Sequence, residues 1–313
     1  MIKKRILWPL VTVLLLSIAG AAQTPEAIRS KAKAAYDAGR YPEAVELYRQ
    51  YVALRPTDAS GQLHLGSSCY FAKSYPEAVI ALRAALKLDP SLTLARRLLA
   101  SALYANGQYA EAVDAYKVAL KDYPQDVSGW TFLGNALDYL KRFDEAKAAY
   151  LKAIEIDPKN APVHCELATA YFGQKMYTEA RDNWKKCLEL DPNATNATDT
   201  RLRLGNAYFS NSQFAEAADM YNSVAAERPT DKLVHKYLGD TYLKQGKFAL
   251  AINGYNLAIK LDPNYTSAIY ALGLTYIDNK QMALARAQYD RLKTLDPETA
   301  ERFWAVYVKF GGK

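Results

Sequence analysis

The chain has 313 residues, half of them apolar, with 40 lysines and arginines against 33 acidic residues and a net charge of +7. This apolar content is ample for a packed interior. Three of the positive charges lie within residues 1–22, and the remaining +4 is spread over 291 residues without a basic stripe, which argues against nucleic-acid binding.

Residues 1–22 have the three parts of a secretory signal peptide. Residues 3–5 are Lys-Lys-Arg, residues 6–18 form a mostly apolar run, and residues 19–22 read Ala-Gly-Ala-Ala. We expect cleavage after residue 21 or 22 and export of the mature protein to the periplasm or the medium. The alternative is an uncleaved anchor in the inner membrane with the rest of the chain outside the cytoplasm. The run is short for such an anchor, which needs roughly 20 apolar residues.

From residue 25 onward the sequence repeats with a period of 34 residues. Eight prolines mark the period, and their successive gaps are 34 residues except for one gap of 37. These prolines are Pro56, Pro90, Pro124, Pro158, Pro192, Pro229, Pro263 and Pro297. A fixed period of this length predicts an array of one small unit, so we expect one continuous solenoid and no enclosed catalytic cleft.

Each unit predicts two antiparallel helices when its proline is numbered position 32. Apolar residues are helically spaced at positions 4, 7, 8 and 11 and again at positions 20, 24 and 27. Position 8 is always Gly or Ala and position 20 is always Ala, so the two helix backbones can approach closely there. Bulky residues at positions 17 and 24 are expected to fill the space between units. The residue before each proline disfavours the helical region, which predicts the end of the second helix.

Glycine follows the first helix in three units, at Gly39, Gly107 and Gly246. A left-handed residue is a common way to end a helix, and glycine adopts that conformation without steric cost. We therefore expect the turn between the two helices at this point of the repeat.

The pattern resembles the tetratricopeptide repeat, most completely in the unit from Trp130 through Gly134, Ala146 and Tyr150 to Pro158. The resemblance covers residues 25–297 and implies an all-α, right-handed superhelical solenoid of antiparallel helix pairs. Its eight repeats end near residues 58, 92, 126, 160, 197, 231, 265 and 299. We therefore divide the chain into a signal peptide or anchor (1–22), the solenoid (23–297) and a C-terminal capping helix with tail (298–313).

Two segments depart from the regular array. The unit that ends at Pro229 carries three extra residues around residues 193–198, which predicts a longer loop and a small break in stacking. After Pro297, continued numbering puts Phe303, Val306 and Phe310 at positions 4, 7 and 11 of a ninth first helix. This spacing predicts the capping helix.

The sequence contains no pattern typical of a catalytic or metal-binding site. We predict no catalytic residue, no metal and no cofactor. Three cysteines, an odd number, predict no disulfide framework. Cys69 and Cys187 fall on core positions and are expected to be small buried hydrophobes. Cys165 falls on the inner face, where a reactive thiol is an alternative, and a metal site formed by His164, Cys165 and Cys187 is disfavoured.

The resemblance places the first helices on the inner, concave face, with positions 2, 5, 9, 12 and 13 turned towards a ligand. Aromatic anchors among polar groups are typical of a peptide-binding surface. The predicted groove residues are Tyr36, Tyr70, Tyr104, Tyr139, Phe172, Phe209 and Tyr270. The charged residues expected among them are Arg29, Lys33, Arg97, Asp138, Lys236, Asp240, Lys244 and Asp278. Because tyrosine at position 12 is common in the family, a purely structural role for these rings is the alternative.

We therefore expect a non-enzymatic scaffold or adaptor in the bacterial cell envelope that binds a peptide or protein segment as part of an envelope assembly. One alternative is an accessory subunit of a separately encoded envelope enzyme. The other is a self-associating structural protein, which would use a second apolar patch around Trp304 and Val308 on the capping helix. The expected partners are proteins or peptides, without nucleic acid, and contact with a membrane only through an uncleaved N-terminal segment.

Overall fold

The computed structural model describes residues 24–311, and over this range the chain forms 17 α-helices and no β-strand. The first helices of the eight units are α1 (Pro25–Asp37), α3 (Ala59–Phe71), α5 (Thr93–Ala105), α7 (Val127–Tyr139), α9 (Ala161–Gly173), α11 (Ala197–Ser210), α13 (Lys232–Lys244) and α15 (Thr266–Asp278). The second helices are α2 (Tyr41–Leu54), α4 (Tyr75–Leu88), α6 (Tyr109–Asp122), α8 (Phe143–Ile156), α10 (Tyr177–Leu190), α12 (Phe214–Glu227), α14 (Phe248–Leu261) and α16 (Met282–Leu295), and α17 (Pro297–Lys309) follows. The predicted all-α fold of helix pairs is confirmed.

The helices group into two compact parts, each larger than one 34-residue repeat, which we call the N-terminal unit and the C-terminal unit. The first ends at Asn106 and the second starts at Gly107. The N-terminal unit contains α1 to α5 and the C-terminal unit contains α6 to α17. Inside each unit, every helix packs against the next one along the chain. The predicted signal peptide lies outside the described residues. None of the helices between residues 24 and 311 is both long and apolar enough to cross a lipid bilayer.

A left-handed residue at position 15 ends the first helix in all eight 34-residue repeats. Three of these residues are the predicted glycines, with φ between +70° and +77°. The other five carry side chains at φ between +58° and +62° and are Lys73, Lys141, Lys175, Ser212 and Lys280. For a residue with a side chain, this conformation costs about 1–2 kcal/mol because of steric repulsion. The turn is therefore fixed by the repeat geometry even where the local residue disfavours it.

Core tyrosines at position 24 explain why position 8 must be small. A Cβ added to Gly134 would lie only 2.5 Å from the Tyr150 ring, and one added to Gly239 only 2.6 Å from the Tyr255 ring. Both tyrosines are almost fully buried. The small residue at position 8 thus allows the close approach that the sequence predicts, but the position-24 ring packs inside its own helix pair, whereas the sequence analysis expected it between neighbouring pairs.

The longer connector lies between α10 and α11. Helix α10 ends at Leu190 and α11 starts at Ala197, one residue before position 1 of its unit. The predicted break in stacking is wrong, because Leu204 of α11 packs in one cluster with Trp184 and Cys187 of α10. The extra residues are absorbed by the loop and by one additional helical residue, which leaves the interface between the helices intact.

Cys165 and Cys187 form a disulfide, with their Cα atoms 5.5 Å apart. The prediction that these cysteines are unpaired is wrong, and the bond also excludes the alternative of a reactive thiol at Cys165. Positions 5 and 27 face each other within one helix pair, so the bond joins α9 to α10. Cys69 is free and fully buried, as predicted. The odd number of cysteines therefore reflects one internal pair and one buried thiol.

Helix α17 occupies the place of a ninth first helix and starts with an Asp296 side-chain cap on the Thr299 amide. Phe303 and Tyr307 are buried against the preceding pair. Phe310, which the spacing placed on the packed side, lies beyond the helix end and is 60 % exposed. No second helix follows α17 within residues 24–311, so nothing covers position 11 there.

Candidate functional site

The position-12 rings of the predicted groove pack against the position-17 rings of their own units. The ring centres of Phe172 and Tyr177 are 5.3 Å apart, and those of Phe209 and Phe214 are 5.4 Å apart, both edge-to-face. The position-12 rings are half-buried, which means that each one supports its helix pair on one side. Their opposite sides remain available to a ligand.

In the N-terminal unit the predicted groove residues form an aromatic cluster. Tyr36 meets the edges of Tyr41 and Phe71 at ring distances of 5.5 and 5.9 Å, and Tyr70 meets the edge of Phe71 at 5.3 Å. The Tyr36 hydroxyl also shares a hydrogen bond of 2.9 Å with Ser67. Burial raises the pKa of Tyr70. Tyr104, the last predicted residue of this unit, is half-buried on α5.

In the C-terminal unit, Phe172 and Phe209 line a cavity of about 220 Å³, which we call the phenylalanine cavity. Its polar side is formed by Asn206 and Asp240. The Tyr221 hydroxyl donates a hydrogen bond of 2.7 Å to Asn206 Oδ1. Because that oxygen is engaged from the core side, the Asn206 amide nitrogen is left as the donor for a ligand.

A second cavity of about 630 Å³ adjoins the first, and we call it the terminal cavity. It lies among α13, α15 and α17, and Asp240 lines both cavities. Its apolar side includes Leu243, the predicted Tyr270 and Leu274. Its charged side includes Lys236, Asp240, Asp296 and Arg302. The volume falls in the range of roughly 300–1,000 Å³ that is usual for ligand sites.

Charged groups also line another cavity of about 220 Å³ next to the disulfide, where Glu166 of α9 faces Arg203 of α11. Desolvation raises the pKa of the Glu166 carboxyl, and the charge of Arg203 opposes this shift. Burial likewise raises the pKa of Asp138. Both carboxyls therefore hold their protons to a higher pH than free side chains would.

Position 6 belongs to the inner face, although the predicted set of inner positions omits it. Glu166, Arg203 and Tyr237 occupy this position in three consecutive first helices, and each lines a cavity. Arg302 is another cavity residue that the sequence did not reveal, because α17 has no repeat signature to place it. A helical wheel that included position 6 would have found the first three.

Tyr139 lies apart from the cavities. Its ring stacks on Tyr109 with centres 4.3 Å apart and planes 2° apart, and the residue is 63 % exposed. Tyr139 therefore adds to an exposed aromatic pair and lines neither the phenylalanine cavity nor the terminal cavity.

The predicted second patch on α17 is smaller than expected. Trp304 is half-buried, and its ring centre lies 4.6 Å from the ring centre of Tyr289. The Arg286 guanidinium lies 4.8 Å from the centre of the Trp304 ring. Val308 is 48 % exposed. Trp304 therefore fastens α17 to α16, and Val308 is the part of the predicted patch that faces solvent.

Comparison with protein families gives one consistent result along the chain. Models described as the tetratricopeptide repeat match residues 29–93, 97–161, 161–194, 199–231 and 266–299. A model described as a TPR repeat matches residues 239–280. A search of curated proteins finds no match to the sequence.

Solved structures with the same fold include a repeat protein from Cytophaga hutchinsonii, with a TM-score of 0.66 at 19 % identity. The match covers 78 % of this chain and 98 % of that one. YrrB, described as a TPR protein with an unusual peptide-binding site, gives 0.53 at 21 % identity over 61 % of this chain and 97 % of its own. MamA AMB-1 gives 0.50 at 28 % identity over 55 % of this chain and 93 % of its own.

Proposed function

Since this chain belongs to the tetratricopeptide-repeat family, whose members are typically non-enzymatic protein-interaction scaffolds, we propose that it binds an extended peptide or protein segment along the inner helices of its C-terminal unit. The phenylalanine cavity and the terminal cavity together form the binding site. The chain acts by holding this segment within an assembly of the bacterial cell envelope.

The observation that carries this proposal is that the two cavities are adjacent and share the lining residue Asp240. A segment seated on Phe172 and Phe209 would pass Asp240 on its way to Tyr270. Rings anchor such a segment through apolar contact, and the Asn206 amide nitrogen offers a hydrogen-bond donor to its backbone. YrrB, with the same fold, is described as having a peptide-binding site, which is consistent with this use of the fold.

Two observations support export of the chain. The Cys165–Cys187 disulfide is of a kind that persists in oxidising compartments such as the periplasm and is rare in the cytosol. Residues 1–22 carry the pattern of a signal peptide. Sequencing of the native protein should give an N-terminus at Ala22 or Gln23. An intact Met1 in a membrane fraction would support the anchor, and an intact Met1 in the soluble cytoplasm would refute export.

Selection of random peptides displayed on phage against the purified protein tests the binding site. We expect enriched peptide families whose binding is weakened in Phe172→Leu and Phe209→Leu. Leucine keeps an apolar contact with the neighbouring ring of the same unit and so limits the loss of stability. Tyr139→Ala, which changes an exposed ring outside both cavities, is the matched control and should bind normally.

The proposal fails if the protein enriches no peptide family, or if both leucine variants bind the enriched peptides as the parent does. Melting temperatures of all three variants separate loss of binding from loss of folding. The same variants, used as baits in envelope extract, would then identify the natural partner as a protein that the parent retains and the leucine variants release.

A further inference from the structure

We propose that one edge of the C-terminal unit binds the surface of an anionic lipid membrane. Residues 244–250, 278–284 and 308–310 form this edge, and we call it the basic edge. They comprise the turns of the last two helix pairs and the end of α17. The inference is independent of the proposed peptide site, because none of these residues lines the phenylalanine cavity or the terminal cavity.

The topology brings the three segments of the basic edge together. Because the two helices of each pair are antiparallel and neighbouring pairs pack against each other, the α13–α14 and α15–α16 turns lie at the same end of the helices. Helix α17 occupies the place of a ninth first helix and packs against both α15 and α16. Its last residues, Lys309 and Phe310, therefore reach the same end.

The basic edge carries exposed apolar side chains where the other repeats carry a carboxylate. Leu250 and Leu284 both occupy position 19 and are each 46 % exposed, and Phe310 is also exposed. Position 19 is Glu in the six preceding repeats. One of these, Glu145, forms an ion pair of 2.7 Å with Arg142 of its own turn. Leucine in the last two repeats removes this carboxylate and adds apolar surface in its place.

Four exposed lysines lie among these apolar side chains, namely Lys244, Lys247, Lys280 and Lys309. In the part of the chain that the structure describes, none of their ammonium groups forms an ion pair or a hydrogen bond. The three segments contain one acidic residue, Asp278. The edge is therefore positively charged, which is complementary to anionic lipid headgroups. Each lysine close to such a surface strengthens binding by about fivefold.

The arrangement of these side chains favours a lipid surface over a folded protein partner. The anchors of a protein interface fill pockets, and none of the cavities described above includes a residue of the basic edge. The headgroup region of a membrane accepts exposed leucine and phenylalanine side chains that are flanked by lysines. This contact differs from the sequence-based expectation that the chain meets a membrane only through an uncleaved N-terminal segment.

The experiment is vesicle flotation of the purified protein after its N-terminus has been sequenced. One set of vesicles is an equal mixture of phosphatidylglycerol and phosphatidylcholine, and the other is phosphatidylcholine alone. We expect the protein to float with the anionic vesicles only, and less so as salt is added, because salt screens exposed charges. Equal binding to both sets, or binding to neither, overturns the proposal.

Two pairs of variants assign the binding to the basic edge. Leu250→Glu/Leu284→Glu restores the glutamates of the other repeats and should weaken binding to anionic vesicles at least about tenfold. Its control is Leu151→Glu, which changes an equally exposed leucine on α8. Lys280→Gln should weaken binding about fivefold. Its control is Lys159→Gln, in the α8–α9 loop at the opposite end of the helices. Both controls should bind as the parent does.

Melting temperatures of all the variants separate loss of binding from loss of folding. Unchanged vesicle binding in the folded double-leucine variant refutes the proposal. It is also refuted if the parent ignores vesicles but forms a dimer in sedimentation that this variant abolishes, because the edge is then an interface between copies. Phe172→Leu should float as the parent does, so failure of the peptide site and failure of the lipid contact are distinguishable.

Discussion

The hydroxyl of Tyr255 donates a hydrogen bond of 2.8 Å to Oδ1 of Asp240, and so joins the interior of one helix pair to its inner face. Tyr255 is almost fully inaccessible to solvent and contributes to the wall of the terminal cavity, and Asp240 lines both cavities. The same link from position 24 to position 9 recurs twice more in the C-terminal unit, as Tyr150 to Asn135 and Tyr221 to Asn206, each at 2.7 Å. Core tyrosines therefore orient the polar groups that a ligand meets.

Tyr255→Phe removes this hydrogen bond and keeps the ring. We expect a loss of about 0.5–1.5 kcal/mol in the free energy of unfolding, measured by urea denaturation. Tyr289→Phe is the matched control, because Tyr289 also occupies position 24 but the position-9 residue of its unit is Leu274. Equal losses in both variants would show that the bond to Asp240 contributes nothing.

Buried tyrosines make the fold sensitive to alkaline pH. Burial raises the pKa of Tyr48 to about 12 and also raises the pKa values of Tyr221 and Tyr255 above the ordinary value of 10.0. Above pH 10 the unfolded chain therefore loses phenolic protons that the folded chain keeps, so ionisation favours unfolding. We expect the contribution of these tyrosines to stability to be constant up to about pH 10 and to fall progressively above it, which urea midpoints measured against pH would show as a decline above pH 10. A flat profile above pH 10 would contradict this.

The disulfide between Cys165 and Cys187 should stabilise the α9–α10 pair. A cross-link of this loop length contributes about 3 kcal/mol by restricting the unfolded chain. We expect a reducing agent to lower the unfolding midpoint of the parent and to leave that of Cys165→Ala/Cys187→Ala unchanged. Thiol titration of the denatured, unreduced protein should detect only Cys69, and detection of all three cysteines would refute the bond.

Lys141→Gly should stabilise the protein. Lys141 ends α7 at φ +58°, where glycine avoids the steric penalty of a side chain. After the entropy cost of glycine in the unfolded chain, we expect a net gain of about 0.5–1 kcal/mol by urea denaturation. Ala148→Gly, at an exposed position inside α8, is the control and should lose about 1 kcal/mol. A loss in both variants would show that the left-handed residue is not strained.

Ala146→Leu tests the close approach of α7 and α8. Ala146 is fully buried at position 20, and added bulk in a filled interior costs about 1–3 kcal/mol. In a repeat fold this damage stays local, so hydrogen exchange should accelerate mainly in α7 and α8. Ala148→Leu places the same side chain at an exposed position of α8 and should change little. Uniform protection in Ala146→Leu would show that position 20 tolerates bulk.

The 34-residue period predicted the positions of the helices better than it predicted the conformations and bonds of individual residues. Spacing alone predicted the second helix of each repeat, because the residue before each of the eight prolines disfavours the helical region and the buried alanines recur on one face. It did not predict that Lys141 would adopt the conformation of Gly107, since there the packing of the pair overrides the preference of the residue. It also missed the link between Cys165 and Cys187, which depends on two helices lying side by side.

The site was predicted only in part for a similar reason. Position numbers identify Phe172, Phe209 and Tyr270 as inner-face residues, and in the structure these three line the two adjacent cavities. Tyr139 carries the same sequence signal but packs on Tyr109, away from them. Which inner residues share a cavity depends on the packing of neighbouring helices, and the spacing within one repeat does not encode this.

The buried thiol of Cys69 affects whether the Cys165–Cys187 disulfide can undergo thiol–disulfide exchange. An unpaired cysteine can attack a disulfide of its own or another molecule, but only as the thiolate. Burial raises the pKa of Cys69 to about 12, so at neutral pH the folded protein holds almost no thiolate there. Burial thus prevents scrambling of disulfides and cross-linking between molecules. That protection depends on folding. Any condition that unfolds α3 would expose the Cys69 thiol, which could then form disulfides with other molecules.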